Sequence, residues 1–157
     1  MTIAPKLRQY LDEVKADYDV IEHQPTKSSM ETARASSVPA EKVAKAVLLD
    51  TDEDYLLAVL PSDRRVELSE LRSELGRKPR LASEDEIQNL FSDCDVGAVP
   101  PAGYGIKVIV DDAIDQQPDV YFEAGDHASL VHMKHDEFSR VMRGARHGQF
   151  SESVLID

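Results

Sequence analysis

Residues 43–49 read VAKAVLL, six apolar residues with one lysine, Lys45, set among them. Side chains alternate along a strand, so Val43, Lys45, Val47 and Leu49 share one face while Ala44, Ala46 and Leu48 share the other. Both faces are otherwise apolar, as in a strand covered on each side. An unpaired ammonium group there is costly unless it finds a cleft, a partner or an anionic ligand. The alternative is a lysine that snorkels from near the strand end.

The neighbouring sequence makes this strand half of a hairpin. Residues 50–54 (DTDED) form a polar turn, and residues 55–60 (YLLAVL) mirror the first run. The pair is expected at the centre of a sheet. Leu7, Tyr10, Leu11 and Val14 follow helical spacing after Pro5, and Ser28–Glu31 and Ser83–Glu86 match capping boxes. Leu68, Leu71 and Leu75 mark a helix that Gly76 ends. Further strands are predicted at YDVIE, IKVIV, DVYFE and SLVHM, with a closing helix from Glu137 to Met142. The irregular order of helices and strands predicts a mixed α+β domain: a mainly antiparallel sheet surrounded by helices. Residues 1–143 are read as one domain and 144–157 as a loosely held extension.

At 157 residues the chain is long enough for its own core. It shows neither an apolar run of membrane-spanning length nor a secretory leader, so a cytoplasmic protein without membrane contact is expected. The formal charge is -12. Lys and Arg number 13 against 15 acidic residues in positions 1–80, but 5 against 15 in positions 81–157. A local basic surplus lies at Arg64, Arg65, Arg72, Arg77, Lys78 and Arg80. It reads either as a phosphate-binding stretch or as a solvated helix with spaced charge pairs.

Little in the sequence suggests metal or covalent chemistry. His127, His132 and His135 lack a helical ligand spacing, so no metal and no cofactor are expected. Cys94, the single cysteine, stands between Asp93 and Asp95, whose charges disfavour a thiolate. The loop at residues 97–105 (GAVPPAGYG) is rich in glycine, but its two prolines lack the N–H donors of a phosphate cradle. What it offers is rigid turns and close backbone approach.

Taken in order, EHQPTKSSMETA (22–33), VAKAVLL, LAVLPSDRRVEL (57–68), the Gly97–Pro101 loop and AGDH (124–127) resemble the YbaK / prolyl-tRNA synthetase-associated editing domain family. The resemblance covers about Val20 to Met142. It implies a free-standing deacylase that hydrolyses the ester of a mischarged tRNA, with proline tRNA carrying Ala, Ser, Thr or Cys as the typical substrate. It also implies a catalytic set of Lys45, Gly97, Pro101 and His127, with Lys45 engaging the end of the aminoacyl-tRNA. Thr26, Ser28, Ala98, Val99, Pro100, Gly125 and Asp126 would line the substrate, and Arg64, Arg65, Arg77, Lys78 and Arg80 would contact tRNA. Partners would be mischarged tRNA and a synthetase, not DNA. A non-catalytic module that binds tRNA or a synthetase is the alternative, as is hydrolysis of a small free ester or amide. An aminoacyl ester is already activated, so positioning and electrostatics suffice for the leading reading.

Overall fold

The computed structural model describes residues 3–154. The helices are α1 (Pro5–Glu13), α2 (Ser29–Ser36), α3 (Leu68–Leu75), α4 (Glu84–Leu90), α5 (Asp112–Asp115) and α6 (His135–Val141). The strands are β1 (Asp19–Glu22), β2 (Val43–Asp50), β3 (Tyr55–Pro61), β4 (Arg64–Val66), β5 (Arg80–Leu81), β6 (Lys107–Asp111), β7 (Asp119–Glu123), β8 (Ser129–Lys134), β9 (Arg146–Gly148) and β10 (Ser151–Ser153).

The predicted hairpin forms the middle of the main sheet. β2 and β3 pair antiparallel from Ala44↔Pro61 to Asp50↔Tyr55, within the order β1-β8-β7-β2-β3-β6-β9. β1–β8, β7–β8 and β2–β5 are also antiparallel, whereas β2–β7, β3–β6 and β6–β9 are parallel. The sheet is therefore mixed and mainly antiparallel, with helices around it.

Strand alternation sorts the core into two layers. Ala44 and Ala46 pack with Leu7 and Leu11 of α1 and with Phe138 and Val141 of α6, while Leu48 joins Phe91 and Val99. On the opposite face Val43 packs with Ala33 of α2, and Leu49 and Val47 pack with Leu71 of α3. Lys45 lies on that second face, between the position covered by α2 and those covered by α3.

Local signals set several boundaries. Ser83 and Glu86 form the full reciprocal capping box at α4. At α2 the Ser28 hydroxyl accepts the Glu31 amide. Gly76 ends α3 in the left-handed region at φ 76°.

Residues 144–154, part of the segment expected as a loosely held extension, carry two short strands. β9 adds to the sheet edge beside β6, β10 pairs with β4, and Phe150 between them is fully buried with Leu60, Leu71 and Ile109. Short polar strands acquire their pairing from their partners, so their own periodicity is weak.

Candidate active site

The parallel pairing of β2 with β7 covers only Val43↔Tyr121 and Ala44↔Phe122. Paired residues of parallel strands point to the same face, so Lys45 and Glu123, one position further along each strand, share a face where the pairing stops. The chain after β7 then runs through Gly125, Asp126 and His127. Three loops meet around His127: the segment before α2, the turn after β7, and the Gly97–Pro101 loop.

The contacts there are specific. The His127 carbonyl accepts the Thr26 amide at 3.2 Å, and the hydroxyls of Thr26 and Thr32 are 2.5 Å apart. His127 Nε2 lies 3.0 Å from the Val96 carbonyl and Nδ1 lies 3.4 Å from Glu123 Oε2. His127 adopts φ 57°, in the left-handed region that a side chain rarely occupies. Gly97 packs directly on its ring: a Cβ there would stand 3.3 Å from Cε1 and Nε2. Ala98, Val99, Pro100 and Pro101 are buried, so the loop is a fixed piece of backbone.

Gly125 is required from the other side. At φ 114° an added Cβ would come within 2.9 Å of the Ala4 Cβ and 3.3 Å of Cys94 Sγ. The Asp126 carboxylate accepts the Ala128 amide at 2.9 Å and stiffens the same turn.

Burial dominates the electrostatics. It lowers the Lys45 ammonium pKa, and the charge of Asp63 opposes this. Burial pushes Glu123 up to about 7, with smaller opposing pulls from Thr32 and His127. The Cys94 thiol is pushed up to about 12, chiefly by burial, with Asp93 and Asp95 adding to the rise. The sequence pointed to those aspartates, but desolvation is the larger cause. Cys94 is therefore no thiolate nucleophile at neutral pH.

The structure thus brings Thr26, Gly97 and His127 together and places Lys45 on the adjoining strand. Ser28 contributes as the α2 cap. Pro101 instead lines a cleft of about 450 Å³ with Tyr10, Val141 and Met142. That cleft and its neighbour of about 330 Å³ are lined by neither Lys45 nor His127. Side-chain chemistry, not the size of a hollow, locates the site.

The basic residues are scattered over several elements. Arg64 donates to Ser151, Arg65 pairs with Glu152, Arg77 with Glu53 at 2.6 Å, and Arg80 with Asp50 at 2.5 Å. Lys78 is exposed and makes no ion pair among the described residues. The three histidines considered for a metal have separate carboxylate partners: Glu123 for His127, Asp119 for His132 and Asp115 for His135. Elsewhere Asp112, Asp115 and His147 bring ligand-type atoms within 4.8 Å of one another, with Asp115 already bonded to both His135 and His147.

Two buried groups escaped the sequence reading, Glu123 and Thr32. A carboxylate at the end of a strand ordinarily faces water, so composition gives no warning of its burial.

A desolvated cation on β2 and a rigid loop held against His127, without an activated thiol, suit the positioning of an already reactive substrate. The chain belongs to the aminoacyl-tRNA editing domain family, which it matches over residues 23–141. It is 24% identical over 142 residues to the prolyl-tRNA editing protein ProX of Acetoanaerobium sticklandii, covering 85% of this chain and 86% of that one. It is 26% identical over 144 residues to the multifunctional Ser/Thr-tRNA deacylase ProXp-y of Escherichia coli K12, covering 87% and 86%. A proline–tRNA ligase of Halalkalibacterium halodurans is 30% identical over 105 residues, 66% of this chain but only 18% of the ligase. The fold matches the crystal structure of hypothetical protein APE2540 with a TM-score of 0.84 at 22% identity, over 94% of this chain and 99% of that one. It also matches a proposed trans-editing enzyme for prolyl tRNA synthetase with a TM-score of 0.85 at 20% identity, over 96% and 97%.

Proposed function

We propose that this protein is a free-standing aminoacyl-tRNA deacylase that hydrolyses the ester of a mischarged tRNA, proline tRNA carrying Ala, Ser, Thr or Cys being the substrate class. The observation that carries the reading is the half-buried Lys45 on the face of the β2–β7 split, one strand from the His127 turn that fixes the Gly97–Pro101 loop. In this scheme Lys45 holds an anionic or polar group of the tRNA end. The loop backbone, with Ala98, Val99 and Pro100, orients the ester, and water or the substrate's own 2′-hydroxyl attacks it. Thr26, Gly125 and Asp126 shape the surrounding turn.

Editing of this kind is needed because one methylene discriminates similar amino acids by only about 1–3 kcal/mol in a single pocket. The family membership, the editing-protein name of one relative and the deacylase name of the other support hydrolysis over binding alone. Arg64, Arg65, Arg77, Lys78 and Arg80 are the proposed tRNA-contacting residues, and a synthetase is a further partner of the same reading. Single-turnover deacylation against a panel of mischarged tRNAs tests it. Ester loss from at least one member is expected; tight binding without ester loss makes the protein a binding module. Turnover of a free amino-acid ester at the same rate as the tRNA overturns the role of the tRNA body.

A further inference from the structure

Glu123 is 1% exposed, and among the described residues neither of its carboxylate oxygens has a hydrogen-bond partner of good geometry, the Thr32 hydroxyl giving only a partial pull. A buried carboxylate left so is expensive, and the scheme above gives it no chemical task. Its closest ionisable contact is His127, Nδ1 to Oε2 at 3.4 Å. The other ring nitrogen is already assigned by its partner: the Val96 carbonyl can only accept, so Nε2 carries a hydrogen and donates to it. Val96 immediately precedes Gly97, and Gly97 lies against the same ring. The imidazole is thus a wedge between Glu123 and the start of the substrate loop, with both nitrogens turned towards protein atoms.

We propose that Glu123 is a positioning residue for the editing site: a proton shared between its Oε2 and His127 Nδ1 orients the imidazole, and the imidazole holds the Gly97–Pro101 loop in its substrate-accepting shape. The inference rests on the deacylase reading. With the carboxyl protonated, its O–H can donate to the Nδ1 lone pair and the Oε2–Nδ1 contact is attractive. Once that proton is lost, a carboxylate faces the lone pair of Nδ1, the ring is no longer held, and the bond to Val96 weakens.

The groups acting on Glu123 are His127 and Asp126 from the turn after β7 and Thr32 from α2, while Lys45 stands on the same face of β2. Burial raises the carboxyl from 4.5 to about 7, so the proton leaves near neutral pH. The sign for stability follows. Between 4.5 and 7 the folded state binds more protons than the unfolded chain, so this contribution is complete below 4.5 and is lost as pH rises through about 7.

Glu123→Gln is the decisive variant, because its amide donates to Nδ1 at every pH while Nε2–H still meets Val96. Enzyme-dependent kcat/KM on the best mischarged tRNA is measured from pH 6 to 8.5, with spontaneous hydrolysis subtracted. Glu123→Gln is expected within about threefold of the wild type at pH 6, with the variant-to-wild-type ratio rising at least about fivefold by pH 8.5. Glu123→Ala, which leaves His127 Nδ1 unsupported, is expected to lose at least about tenfold at both ends. Thermal melts need no substrate, and the Tm advantage of Glu123→Gln over the wild type should widen from pH 5 to 8.5. A kcat/KM ratio flat with pH, or a Glu123→Gln variant as impaired as Glu123→Ala, overturns the proposal. Should the wild type hydrolyse no mischarged tRNA, the deacylase reading falls and the melts alone judge the pair: a widening gap upholds the shared proton, and a constant gap overturns it.

Discussion

Lys45 carries a charge that burial disfavours, and Asp63 compensates it only in part. Truncation to alanine relieves that desolvation, so Lys45→Ala is expected to melt at the wild-type temperature or above it. The same variant is expected to hydrolyse its mischarged tRNA at least about a hundredfold more slowly, equivalent to about 2.7 kcal/mol of barrier. Wild-type deacylation in the folded variant would remove Lys45 from the site. Lys45→Arg separates charge from fit, since guanidinium keeps the first and alters the second. Gly125 tests the backbone instead. At φ 114° and 2.9 Å from the Ala4 Cβ, Gly125→Ala is strained both in conformation and in space, so a loss of about 2 kcal/mol or more in urea unfolding is expected. An unchanged midpoint would show that α1 and the turn yield more easily than their packing implies. Lys45 was legible in the sequence because a charge stood alone in an apolar run. Glu123 was not, because what surrounds it includes Thr32 of α2, which is distant in sequence.

Elements were legible where the chain carries its own instructions. The hairpin of β2 and β3 showed itself through two apolar runs joined by an acidic turn, and α3 and α4 through Gly76 and the Ser83 box. β4, β5, β9 and β10 did not. They are two or three residues long and largely polar, and what pairs them is the strand already waiting beside them. Phe150 is the apolar residue between β9 and β10, and it is 0% exposed. Phe150→Ala is therefore expected to cost about 3–5 kcal/mol in equilibrium unfolding, the usual loss for an emptied aromatic site. A cost below about 1 kcal/mol would mean that the segment is only loosely applied, as its sequence suggested.

At the scale of the whole molecule the charge of -12 opposes any polyanion, so tRNA binding depends on how the basic residues are distributed. Arg77 and Arg80 are engaged by Glu53 and Asp50, and each must exchange a carboxylate for a phosphate to bind RNA. Replacing Arg77, Lys78 and Arg80 by alanine is expected to weaken tRNA binding and to flatten its salt dependence. The change in slope should lie nearer about one than about three, because only the exposed Lys78 offers an uncompensated charge. Titration at several salt concentrations checks this, and an identical slope would place the RNA on another surface. The parallel addition of β9 to β6 also guards a sheet margin. Without residues 146–153 the edge of β6 has no partner and the hydrophobic cluster around Leu71 loses Phe150. A chain shortened there presents one margin of its central sheet for pairing with other chains. Removal of that segment is expected to leave a chain prone to association, although every residue proposed for the editing site is retained.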